Sequence, residues 1–343
     1  MTYRVAAAAI ALTLGFSGIA SAQTIGGFPI REPGSTSAGS KAPAAKKKKG
    51  PSQIIVDVNG PGPYRSIRQA VNDIAEGGVI YVMHGVYNEA ISLNKSVFIQ
   101  GDRGPGSGVE INAPMNQSCL SFRPSEATSH AVVANVQFSA KINSGAPACV
   151  DVASGVFTLK ESDVLGSTTR PSIRITGGTV TLKKNRISAG SEGIYVEQAH
   201  SLMNTSIISN IISNNRIGVD IAAGSRADVV LTGNEIYENV STGVKSSGYG
   251  EASIIGNKIR NNQGAGLILD KYAKNSIVRR NEIIKNEGDG VAIPFGANGF
   301  IEDNEIRGNS GLSIFVREGL KPKITNNIIE NNRGDGKKRR RRR

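Results

Sequence analysis

From Asn185 onward the apolar residues fall into runs of three to five that alternate with polar ones, are dominated by Ile and Val, and are punctuated by Gly or Asn. Such runs read as short β-strands. Two stretches show the unit: Asn257-Lys258-Ile259-Arg260-Asn261-Asn262 leads to Gly266-Leu267-Ile268-Leu269, and Asn281-Glu282-Ile283-Ile284-Lys285-Asn286 leads to Gly290-Val291-Ala292-Ile293. A third run precedes each first asparagine, as in Val229-Val230-Leu231 and Ser253-Ile254-Ile255. Seven asparagines (Asn185, Asn210, Asn234, Asn257, Asn281, Asn304 and Asn327) recur 23 to 25 residues apart, and six are followed five residues later by a second (Asn215, Asn239, Asn262, Asn286, Asn309 and Asn332). A fixed period of this length means a solenoid, in which each unit buries its apolar face only by stacking on the next.

A leucine-rich horseshoe has a similar period, but its unit holds one strand and a helical or 3₁₀ return. Here two or three strands share each turn, so the pattern predicts an all-β, single-stranded parallel β-helix of about 23–24 residues per coil. Equivalent residues of neighbouring coils then lie ~4.8 Å apart. The asparagines become ladders, each amide donating to one coil and accepting from the other, and Asn is expected to take the left-handed conformation that the sharp turns need.

In the strand after the second asparagine, Ile194 and Val196, Val219 and Ile221, Leu267 and Leu269, and Val291 and Ile293 point inward. Alternation therefore sends one outward column through Tyr195, Asp220, Lys245, Ile268, Ala292 and Ser313, and the next through Glu197, Ala222, Ser247, Asp270, Pro294 and Phe315. Tyr195, Glu197, Asp220, Lys245 and Asp270 form the candidate binding face. Asp220 and Lys245 read as a rung pair, and Glu197 and Asp220 as carboxylates able to approach for acid–base work or a hard cation. Glu235, Lys258 and Glu282 read as a solvated charge ladder.

The start of the chain changes the compartment. Arg4, the apolar stretch Val5 to Leu14 and Ala20-Ser21-Ala22 read as a signal peptide over 1–22. Residues 23–52 read as a flexible basic linker, 53–336 as the β-helix and 337–343 as a polybasic tail. An exported protein, periplasmic or extracellular and without a transmembrane segment, follows. The net charge of +13 is uneven: Arg4, Lys46 to Lys49 and the tail carry twelve positive charges, so the body is near neutral. The tail (Lys337, Lys338, Arg339, Arg340, Arg341, Arg342 and Arg343) suits polyanions, with no means of specific nucleic-acid readout. Its bland alternative is a solubilising end. Cys119 and Cys149, an even pair about one coil apart, are expected to form a disulfide. The three histidines, His84, His130 and His200, make no metal-spaced pair, so no metal site is predicted. His84 reads as a turn residue.

A cap precedes the solenoid: Ile67, Ala70, Val71 and Ile74 have amphipathic helical spacing, and Ser66 with Gln69 makes a capping box. The run Tyr64-Arg65-Ser66-Ile67-Arg68-Gln69-Ala70-Val71, followed by Ile80-Tyr81-Val82, Gly85-Val86-Tyr87-Asn88-Glu89 and Asn94-Lys95-Ser96-Val97, resembles the opening of the pectate-lyase-like superfamily of right-handed β-helices. The resemblance implies a right-handed coil and a site on the outward face of a long sheet. It does not carry over catalytic residues. The Gly-x-x-Asp-Phe-Ile-Phe-Gly-like segment of pectin methylesterases, the Asn-Thr-Asp, Asp-Asp and Gly-His-Gly motifs of polygalacturonases, the Arg-x-Pro-x-x-Arg segment of pectate lyases and the Asp-Pro-His-Asp-like run of alginate epimerases are all missing.

These observations point to an exported, non-catalytic binding or scaffold protein of the cell envelope, held to an acidic polysaccharide or another polyanion by its basic ends. The rival is a divergent polysaccharide-active enzyme, a lyase or epimerase, for which calcium is the one conceivable cofactor. With no Trp and 5% aromatics, and with Tyr195 and Phe315 about five rungs apart, tight binding of a neutral sugar chain is disfavoured.

Overall fold

The computed structural model describes residues 50–102, 108–197, 203–224, 227–273 and 275–335. The signal segment, nearly all of the linker, His200 and the tail lie outside the described residues. Strands wind into three parallel sheets of twelve, eleven and ten strands. The first sheet runs from Gln53–Val56 to Lys323–Thr325, the second from Gly85–Tyr87 to Ile328–Glu330, and the third from Ile91–Leu93 to Ile314–Val316. Each strand pairs with its equivalents one coil away: Ile259 lies between Ile236 and Ile283, and Leu267 between Val244 and Val291. These inward residues are all fully buried, forming a continuous column through the coils. At ~1.5–3 kcal/mol per buried aliphatic side chain, that column is the main stabilising term.

The asparagines occupy the corners between first and second sheets and between second and third. Asn257 Nδ2 donates to the Leu231 carbonyl at 2.7 Å and to Asn281 Oδ1 at 3.0 Å, while its own Oδ1 accepts from Asn234 N–H at 3.0 Å and Asn234 Nδ2 at 2.9 Å. The left-handed turn falls one residue earlier than expected. Lys184, Ser209, Arg280, Asp303 and Asn326, with Gly233 and Gly256, take positive φ, each directly before a ladder asparagine of the first corner. The reason is spatial: the preceding residue makes the bend with its side chain in solvent, and the asparagine turns its amide inward to bond backbone that the bend frees.

Gly193, Gly218, Gly243, Gly266 and Gly290 open five successive third-sheet strands because coils approach closely there. A Cβ on Gly243 would lie 2.7 Å from the Gly266 carbonyl oxygen and 2.8 Å from Asn262 Nδ2. This contact corrects the register of the last coil. Gly311 stacks on Gly288, bonding to its carbonyl at 2.9 Å, whereas Ser313 takes the place above Gly290. Phe315 therefore belongs to the column of Ala292, where Ser313 had been expected. The second column ends in Arg317, whose N–H bonds to Ile293.

The helix Ile67–Asp73 packs Ile67, Ala70 and Val71 against the first coils, with Ile74 buried just beyond it. Ser66 Oγ accepts from the Gln69 N–H at 3.2 Å. The rest of the cap comes from Glu89, whose carboxylate accepts from Ser66 Oγ at 2.7 Å, the Ile67 N–H at 2.7 Å and the Arg68 N–H at 3.0 Å. A negative group from the next coil suits a helix N-terminus better than the Gln69 amide. Cys119 and Cys149, both fully buried, form a disulfide across neighbouring rungs with Cα atoms 5.0 Å apart. At the other end Ile324, Ile328 and Ile329 are 40%, 59% and 46% exposed, so the last described coil is not covered like the first. Among the described residues no helix is long and apolar enough to cross a membrane.

Candidate functional site

The outward face of the third sheet gathers most of the expected residues and adds others. Its central column runs Ser92, Ser121, Asp151, Arg174, Tyr195, Asp220, Lys245, Ile268, Ala292, Phe315. Tyr195, Asp220 and Lys245 thus occupy three successive rungs. Glu197 pairs with Arg174, which neutralises its charge. Asp270, at the end of its strand, accepts from the Lys271 N–H at 2.8 Å.

Asp151 and Arg174 were hidden from the sequence reading because they stand before the asparagine ladders begin. A signal was present: each is the single charge between two apolar residues, in Val150-Asp151-Val152 and Ile173-Arg174-Ile175. The Asp151 side chain is 1% exposed and lies between Arg123 and Arg174, with Arg174 Nη1 at 3.3 Å from Oδ1. Burial works against the Arg174 charge, yet the bond to Glu197 and the charges of Asp151 and Glu197 raise its pKa above the ordinary value. On either side of the turn at Gly145, Ala146 and Pro147 lies a depression. Ser92, Ser121, Arg123 and Asp151 line one, and Arg170, Arg174, Tyr195 and Glu197 the other.

Asp220 is an incompletely satisfied charge on this face. It is 8% exposed, Lys245 Nζ stands 3.8 Å from Oδ2, and Oδ1 is buried without a hydrogen-bond partner. Burial pushes its pKa up to about 6; Lys245 opposes the rise, Glu192 adds to it, Arg216 opposes it, and Asp270 adds to it. The Tyr195 phenol is raised by burial first, then by Glu197, Asp220 and Glu192. A proton on Asp220 is favoured in the folded state, so the stability linked to it is full below the ordinary value of 3.8 and is lost as pH rises through about 6. The Asp220→Asn variant is therefore expected to gain on the order of 2 kcal/mol over the parent between these limits, read as the difference in urea unfolding free energy across pH. A constant difference would contradict the burial account.

Elsewhere the charges are structural. Lys258 bridges to Glu282 at 3.4 Å on the second sheet, with Glu235 held by Arg260, as a solvated ladder. His84 is exposed, 3.6 Å from Asp102, and His130 meets the edge of Phe98 with ring centroids 5.7 Å apart. Among the described residues no three His, Cys, Asp or Glu side chains come together as a metal site. The face thus carries three cations, Arg123, Arg174 and Lys245, each paired with a carboxylate of the chain, and at Asp220 a carboxyl whose pKa burial raises to about 6.

Residues 203–338 match the family model described as right handed beta helix region. The fold is a right-handed parallel β-helix. Among solved structures it is similar to the ORF18 protein of Geobacillus virus E2 (15% identity, TM-score 0.53), covering 81% of this chain and 60% of that one. It is similar to the Dettilon tailspike protein (13% identity, TM-score 0.53), covering 80% and 68%. It is similar also to pectate lyase Pel9A (14% identity, TM-score 0.52), covering 84% and 80%. No curated protein matches it in sequence. At these identities the likeness is one of fold, and the chain spans 60% of the length of the viral protein.

Proposed function

We propose that this chain is an exported protein that binds an acidic polysaccharide along the outward face of its third sheet, with its basic ends adding long-range attraction. The observation that carries the reading is the placement of Asp151 and Asp220, buried carboxylates on a face that in a solenoid is ordinarily solvated, among Arg123, Arg174 and Lys245. Fixed, partly desolvated cations of this kind recognise carboxylates better than mobile surface lysines do. The names of two neighbours, a tailspike and a pectate lyase, support an extracellular polymer as partner.

The full chain is expected to be retarded in native gels containing polygalacturonate or alginate, less so with added salt, and less so in the Lys245→Gln variant. Removing residues 337–343 should weaken retardation and flatten its salt dependence. Unaltered migration of the parent in every acidic polymer would defeat the reading.

One observation favours catalysis as the second reading: a carboxyl that titrates near pH 6 beside Lys245 is suited to general acid–base work on a bound sugar chain. New unsaturated uronate or reducing ends, lost in Asp220→Asn while gel retardation persists, would establish it.

A further inference from the structure

We propose that Tyr249, Tyr272 and Phe295 form a stacking strip for the sugar rings of the acidic polysaccharide, with Lys271 and Arg317 placed to take ring carboxylates. The inference rests on the polysaccharide reading above and adds a second contact surface to it. The three aromatics lie on successive coils, in the turn by which the chain leaves the third sheet: Tyr249 follows Ser246, Tyr272 follows Leu269 and Phe295 follows Ile293. They are 52%, 37% and 47% exposed.

Packing does not account for them. None fills the core, and exposed aromatic surface is costly to leave in water. Tyr249 and Tyr272 stack on each other, with ring centroids 4.0 Å apart and planes at 19°. One face of Tyr249 is thus covered by Tyr272 while more than half of its surface stays accessible, a rigid ring held ready at low entropic cost. Cations accompany the rings: Lys271 Nζ is 5.8 Å from the centre of Tyr272, and the Arg317 guanidinium 5.5 Å from Phe295.

This alternation of ring and cation fits a chain that presents both an apolar C–H face and a carboxylate. The strip begins beside the charged column, since Tyr249 lies three residues past the end of the strand Val244–Ser246 that carries Lys245. Strand alternation does not reveal it, because the rings sit in turns, two or three residues past the ends of the strands.

The test uses the full chain in native gels loaded with polygalacturonate, alginate or neutral dextran. The double variant Tyr249→Ala with Tyr272→Ala is expected to lose about tenfold in apparent affinity for the acidic polymers, a change of ~1.4 kcal/mol, with the salt dependence unchanged. The double variant to Phe should keep the parent's affinity, because the rings remain. Both variants are surface changes, and their melting temperatures report that the fold is intact. If the parent is retarded and Lys245→Gln weakened while the alanine pair binds like the parent, the strip is wrong and the polysaccharide reading stands. If the parent is retarded by no polymer, both fall.

Discussion

Asn257→Ala is expected to lower the unfolding free energy by about 4 kcal/mol, at roughly 1 kcal/mol for each of four side-chain hydrogen bonds removed. The four run to Leu231, Asn281 and, twice, Asn234, and all of their donors and acceptors are buried. Alanine takes the side-chain donor from the buried Leu231 carbonyl and the acceptor from the buried Asn234 backbone N–H, while Asn234 Nδ2 keeps the Ile207 and Thr232 carbonyls. Because each coil is stabilised through its neighbours, the loss falls on one interface of a linear array. Urea unfolding should therefore show an earlier midpoint and a lower apparent slope, as the coils on the two sides begin to melt separately. A loss below about 1 kcal/mol would show that the ladder is decorative.

The second large effect is expected at Arg174. Replacing it by Met keeps volume but removes the bonds to Asp151 and Glu197, leaving a carboxylate with a 1% exposed side chain beside Arg123 alone. Breaking a buried ion pair from one side costs about 3 kcal/mol. The expected result is a loss of that size in chemical denaturation, with the double change Arg174→Met and Glu197→Gln showing less than the sum of the two single effects. Strict additivity would mean that Arg174 and Glu197 do not act as a unit.

The architecture was readable because one period governs spacing, strand alternation and corner chemistry together, so Asn185 to Asn332 announce the coils independently of fine detail. The site was readable only where that period holds. Tyr195, Asp220 and Lys245 fell on adjacent rungs as expected, but Asp151 and Arg174 precede the ladders and had no ruler to place them. Gly311 shows the opposite failure. It imitates the strand-opening glycine, and only the backbone contact above Gly290 assigns that place to Ser313. Likewise the pairing of Glu197 depended on Arg174, a residue outside the counted repeat, and the positive φ before each asparagine is invisible in a motif that names the asparagine alone.

The C-terminal coil, with Ile324 and Ile329 exposed and Asn332 bonded back to the Ile306 carbonyl at 3.0 Å, has the geometry of a template. Its asparagines present donors in the same attitude as those of the coils from Asn185 onward. A designed insert of one period, carrying asparagine at both corners and isoleucine at the inward sites, would find its register already written there, so the protein can be lengthened one rung at a time as a ruler of chosen span.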